Sequence, residues 1–123
     1  DKGARFGIYK FKADDNLTPY LNPQECGLRC DVRYAKITNA DKHGIRIEKA
    51  EAPFDLKVLA HSGAEIQSAY KINYLPPRRL TYIEVLGATR GVGGDDSWGA
   101  PVHDEFTVSG EHGQGVEFVF YGI

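Results

Sequence analysis

With 123 residues and a formal charge of −2, the chain has the size of one domain, residues 1–123, able to bury about two thirds of its unfolded surface. The near-neutral balance gives no argument for nucleic acid or an anionic membrane as partner. No apolar run approaches the roughly 18 residues of a membrane-spanning helix, so no membrane partner is expected.

In chain order the pattern is one of short strands with one short helix. Residues Ala4 to Lys12 mix aromatic and aliphatic side chains with charges and read as a strand. Asp14-Asp15-Asn16 is a turn cluster. Leu28, Cys30, Val32 and Tyr34 alternate with Arg29, Asp31, Arg33 and Ala35, a period-two strand with one polar face. Asn39 to Gly44 is a turn, and Ile45 and Ile47 alternate with Arg46 and Glu48 as the return strand of a hairpin. Phe54, Leu56, Val58 and Ala60 alternate with Asp55, Lys57 and Leu59 in a further strand. Ser62 followed by Glu65 fits a capping box and opens a helix from about Gly63 to Tyr70. After Pro76-Pro77, Leu80 to Leu86 is rich in aromatic and β-branched residues. Glu105 to Ser109 and Val116 to Tyr121 read as the last strands, joined by the glycine-rich turn 110–115. About seven short strands with frequent turns predict an all-β antiparallel sandwich with at most one short helix.

Cys26 and Cys30 lie about 13 Å apart if their segment is extended, beyond disulfide reach. A turn at Gly27 shortens that distance. Both are expected as free thiols, which suits a reducing compartment. A zinc site wants more Cys or His nearby.

The stretch Gly91-Val92-Gly93-Gly94-Asp95-Asp96-Ser97-Trp98-Gly99-Ala100-Pro101 holds the only tryptophan. Four glycines and a proline preclude a regular strand or helix throughout. A shaped loop is expected, presenting Asp95, Asp96 and Trp98 in a fixed arrangement. On residue chemistry alone Trp98 has two uses, folded back into the core as Trp commonly is, or presented outward.

The run Gly91 to Trp98 resembles the signature near the C-terminus of bacterial β-galactosidases of glycoside hydrolase family 2. A second block agrees: Thr18-Pro19-Tyr20, Pro23-Gln24-Glu25 and Gly27-Leu28-Arg29-Cys30-Asp31-Val32-Arg33. In that family a Pro-Gln-Glu-Asn-Gly-x-Arg run precedes the Gly-Gly-Asp-Asp-Ser-Trp run at about this separation. Cys26 stands where the family usually has Asn. The resemblance implies roughly the second half of a large, galactose-mutarotase-like C-terminal sandwich, and a longer multidomain parent whose catalytic glutamates lie in a (β/α)₈ barrel. Asp1 is then expected to be a cut point. It further implies that Trp98 walls the side of the barrel mouth that receives the group leaving galactose, with Gly94, Asp95, Asp96 and Ser97 supporting the loop. The Mg and Na ions common in the parent family are implied to bind elsewhere, leaving no cofactor in this segment.

Other chemistry weighs less. A retaining glycosidase needs two carboxyls about 5 Å apart across the sugar, whereas sequence neighbours such as Asp95 and Asp96 point opposite ways on an extended loop. Their expected work is accepting hydrogen bonds from loop N–H groups. Asp95, Asp96, His103, Asp104 and Glu105 match neither an EF-hand nor a zinc motif and read as solvated loop residues. His43, His61 and His112 read as surface residues. Residues 91–94 lack the Lys and Ser/Thr of a phosphate loop. Arg29 and Arg33 share a strand face, either solvated or fixing Glu25 or an aspartate of the 91–98 loop.

Three functions follow: a non-catalytic β-galactosidase segment completing an active site held elsewhere, an independent carbohydrate-binding module, or a structural and assembly module. Expected partners are the remaining domains of the parent and a galactoside such as lactose. Exposed sheet edges are expected to favour self-association of the segment alone. The expected compartment is the cytoplasm, with the periplasm left open because a leader would not be seen in a cut chain.

Overall fold

The computed structural model describes residues 6–96, 98–111 and 113–123. Ser97, His112 and the first two residues of the strand expected at Ala4–Lys12 lie outside these. The strands are β1 (Arg29–Val32), β2 (Tyr34–Thr38), β3 (Gly44–Lys49), β4 (Phe54–Leu59), β5 (Tyr82–Leu86) and β6 (Phe118–Gly122), and α1 (Gly63–Ser68) is the α-helix among the described residues. Two antiparallel three-stranded sheets have the orders β1-β4-β5 and β2-β3-β6. The protein is all-β with one short helix, the makeup of a β-sandwich-like fold.

The chain divides into two compact units, one of Asp1–Cys30 with Leu56–Val85, the other of Asp31–Asp55 with Leu86–Ile123. In the first unit Leu56, Val58, Leu59, Ala60, Ile66 and Ala69 are buried. β4 is the central strand of its sheet, and burial continues along it instead of alternating. Asp55 is buried along with the apolar residues of the strand. Its Lys57 is neutralised by Glu25 at 2.7 Å and Glu84 at 2.6 Å. Burial alone would lower the Lys57 pKa, but hydrogen bonds and charge from both glutamates outweigh it and hold the ammonium above its ordinary value.

Asn16 ends a 3₁₀ turn, Ala13–Asn16, and is buried. Its Nδ2 donates to the Val58 carbonyl at 2.8 Å, and its Oδ1 accepts from Arg29 Nη2 at 3.0 Å. Gly27 approaches the Asn16 backbone and Leu59 with φ +80°, a conformation that favours glycine.

α1 starts as its sequence predicts. Ser62 Oγ accepts from Glu65 N at 3.2 Å, while Ser62 N donates to Glu65 Oε2 at 2.8 Å. The helix then anchors Ile66, which is 1% exposed. The Ser62 N–H is the main reason the Glu65 carboxyl titrates below its ordinary value. A depressed carboxylate pKa stabilises above the unfolded-state pKa, and that contribution is lost as pH falls through the folded value. Ser62→Ala is expected to cost about 1 kcal/mol at neutral pH. Urea unfolding at pH 7 checks this, and an unchanged midpoint would mean the box does not hold the helix start.

In the second unit β2 and β3 form the expected hairpin, Tyr34 opposite Glu48 through Thr38 opposite Gly44. β6 pairs on the other side of β3, from Ile45 opposite Gly122 to Lys49 opposite Phe118. Ile47 and Phe54 are buried here, with the Phe118 ring 6.4 Å from that of Phe54.

Three expectations are corrected. The run Leu28 to Ala35 is two strands, β1 and β2, in different sheets. Asp31 has φ 55°, a left-handed conformation that Asp tolerates better than most residues, and the ladder breaks at Arg33. Residues Glu105 to Ser109 form no strand: Asp104–Phe106 is a 3₁₀ turn, and β6 takes β3 as its neighbour. Residues 6–12 form no strand either. Their mix of aromatic, aliphatic and charged side chains suits a strand but does not make one, since a strand is defined by its pairing.

Candidate functional site

The glycine-rich loop gathers several features in the second unit. Its legs are closed by backbone: Gly91 N donates to the Phe106 carbonyl at 2.8 Å. A Cβ on Gly94 would stand 2.5 Å from the carbonyl oxygens of Ala100 and Pro101, so only glycine lets the legs approach this closely. Gly99 turns the chain with φ +112°.

Inside the loop Asp96 Oδ1 accepts from Trp98 N at 2.8 Å and from Ala100 N at 3.2 Å. Two loop donors that would otherwise need water are thus satisfied by one carboxylate. Asp95 Oδ1 pairs with His103 Nε2 at 2.8 Å. The Trp98 side chain projects from this frame and is 92% exposed. It contributes nothing to the core of this chain, so the inward use of the tryptophan is not the one adopted.

Both aspartates are engaged with the loop itself. Among the described residues, no three His, Cys, Asp or Glu side chains gather into a metal-binding group. His103, Asp104 and Glu105, grouped with them in sequence, do different work. His103 pairs with Asp95 and precedes the 3₁₀ turn, while Asp104 offers its carbonyl to Thr107.

Residues 18–30 of the second sequence block lie in the first unit. Thr18, Tyr20, Gln24, Glu25 and Cys26 line an open cavity of about 330 Å³. The Cys26 thiol donates to the Asn16 carbonyl at 3.2 Å and accepts from Thr18 N at 3.2 Å. It thus does the two-sided bonding that an asparagine side chain could do, and ties the turn after Asn16 to the Pro-Gln-Glu segment. Neither cysteine is in a disulfide. Glu25 takes Lys57 as its cation. Arg29 reaches Asn16 and stacks its guanidinium 4.7 Å from the centre of the Phe11 ring. His43 is exposed, and His61 Nε2 lies 2.8 Å from the Pro76 carbonyl.

Sequence reasoning missed the Asp95–His103 pair, the buried Asn16 and the Lys57 cluster. The first had a signal, a His eight residues beyond an Asp across a glycine-rich loop. The other two depend on long-range pairing, which leaves no local mark.

Residues 1–120 match the family described as beta galactosidase small chain. The chain is 42% identical over 118 residues to a β-galactosidase of Halalkalibacterium halodurans, covering 96% of this chain and 11% of that protein. It is 39% identical over 105 residues to a β-galactosidase of Bifidobacterium adolescentis, covering 84% of this chain and 10% of that protein. With a β-galactosidase small subunit of Latilactobacillus sakei the identity is 31% over 112 residues, covering 83% of this chain and 35% of that subunit. The chain thus spans about a tenth of the first two relatives and about a third of the last. With the match running over 1–120, the chain belongs to the β-galactosidase small chain family.

Proposed function

We propose that the chain is a non-catalytic segment of a β-galactosidase acting on terminal β-D-galactosides such as lactose. In this reading it is the second half of a C-terminal sandwich of the glycoside hydrolase family 2 type. It walls the acceptor side of an active site whose catalytic carboxyls, and the ions of the parent, are held by the remaining domains. The observation that carries the reading is Trp98, an exposed indole on a loop braced by its own aspartates.

The chemistry supports such a wall. One face of a sugar ring is made of C–H groups that can lie flat on an indole, while the rim hydroxyls stay in water. A loop that spends two carboxylates and several glycines on its own geometry fixes the ring before the sugar arrives, and so lowers the ordering cost of binding. β6 supports a larger assembly: Phe118, Val119, Phe120 and Tyr121 are exposed on an edge strand, a surface for the remaining domains to cover.

The test is replacement of residues 93–99 by a short glycine-serine link in the complete enzyme. Galactosyl transfer to glucose is expected to fall much further than hydrolysis of a nitrophenyl galactoside. The chain alone is expected to turn over no nitrophenyl galactoside. Transfer and hydrolysis falling in parallel would reduce the segment to a structural module, and turnover by the purified chain, lost on Asp95→Asn or Asp96→Asn, would place the catalysis here.

A further inference from the structure

We propose that His103 is a positioning residue, holding the Trp98 loop in place through Asp95. The proposal rests on the acceptor-wall reading for its kinetic consequence and on geometry for the clamp itself. The bonds from Asp96 to Trp98 N and Ala100 N are local and shape the tip. They do not tie the tip to the body of the unit. Asp95–His103 does: it is a side-chain bond from the outgoing leg to the returning leg, spanning eight residues.

His103 is itself held. It precedes the 3₁₀ turn Asp104–Phe106, and its carbonyl accepts from Phe106 N at 2.9 Å. Its ring lies 6.5 Å from the Phe106 ring, and the Phe106 carbonyl receives Gly91 N. The connection therefore runs from Phe106 through the His103 imidazole to Asp95, and from the adjacent Asp96 by its Oδ1 to Trp98 N. Asp95, His103 and Phe106, with Gly93 and Gly94, line an open cavity. Nε2 faces Asp95 Oδ1 at 2.8 Å, so the imidazole donates there. Both partners are solvent-facing, His103 at 51% and Asp95 at 83% side-chain exposure. The pair is then worth little to global stability, and its effect falls on the placement of the loop.

The experiment uses the complete β-galactosidase carrying this chain, with His103→Ala, His103→Gln, Trp98→Ala and the His103→Ala/Trp98→Ala double variant. Amide exchange is read in peptides spanning residues 91–106, and galactosyl transfer to glucose is read against hydrolysis. His103→Ala is expected to speed exchange in the loop about two- to fivefold, the range an exposed pair supports, and to lower transfer relative to hydrolysis by a similar factor. The loss should appear in the acceptor's half-saturating concentration. His103→Gln, which places an amide N–H at nearly the reach of Nε2, should restore most of both. On the Trp98→Ala background, His103→Ala should lower transfer no further, because it acts through the indole. Unchanged loop exchange in His103→Ala overturns the clamp, as does an equal further loss of transfer in the double variant. Faster exchange together with full transfer in Trp98→Ala leaves the clamp standing and removes the acceptor-wall reading instead.

Discussion

Asp55→Ala is expected to lower the unfolding free energy by about 2–3 kcal/mol, since it removes the charged acceptor of two hydrogen bonds at once. Asp55 sits on β4 with 8% of its surface exposed. Its Oδ1 accepts from Asp31 N at 3.1 Å and its Oδ2 from Thr89 Oγ1 at 2.7 Å. A buried carboxylate survives only where such donors replace water. The Asp31 end matters most, because Asp31 carries a left-handed φ within β1, two residues before the ladder breaks at Arg33. Removing the acceptor leaves that strained backbone without its brace. Asp31 is solvent-facing, so water can take over part of the bond, which keeps the expected loss below the range for a fully enclosed group. Asp55→Asn retains Oδ1 for Asp31 N, and the Thr89 hydroxyl can turn to accept from the new amide. Its expected cost is about 1 kcal/mol or less. Urea midpoints of the two variants decide the matter: equal losses would assign the effect to the negative charge, and a loss under about 0.5 kcal/mol for Asp55→Ala would mean the brace is idle.

These residues show what local pattern carries and what it does not. The β2–β3 hairpin and the start of α1 were legible because their information is local. Alternation around Asn39–Gly44 specifies a hairpin, and Ser62 with Glu65 three residues on specifies a cap. The split of β1 from β2 was not legible, because Leu28 to Ala35 keeps unbroken alternation. The break at Arg33 follows a left-handed Asp31 whose N–H is held by a carboxylate twenty-four residues away. β4 shows the same limit. The alternation over residues 54–60 marks a strand, but not that Asp55 and Lys57 are satisfied by partners distant in sequence. At the 91–101 loop the absence of regular structure followed from glycine content. The direction of the indole did not, since the same residues could have folded the ring inward. That Asp96 accepts from loop N–H groups followed from its place in a turn, whereas Asp95 turns to His103, eight residues on, and the local pattern left that choice of partner open.

Trp98→Ala in the complete enzyme is expected to weaken acceptor binding roughly tenfold. Covering one face of a sugar removes about 40–60 Å² of apolar surface from water, worth on the order of 1–2 kcal/mol. The loss should fall on glucose-like acceptors far more than on galactose, because the proposed wall lies on the leaving-group side. Transfer to sugar acceptors should drop relative to hydrolysis. Cleavage of an activated galactoside should fall less, since the proposed function puts its carboxyls in other domains. Stability separates this expectation from its rival. The indole is 92% exposed, so its removal opens no cavity in this chain. The bond from the residue 98 backbone to Asp96 also survives the change, because it is made by N–H. A surface substitution of this kind shifts stability by no more than about 0.5 kcal/mol. A tryptophan packed in a core would instead cost about 3–5 kcal/mol on truncation. Two measurements on one variant are enough, the thermal midpoint and the acceptor affinity. A large drop in midpoint with unchanged acceptor affinity would show that other domains bury the ring as packing, and that Trp98 does not touch the sugar.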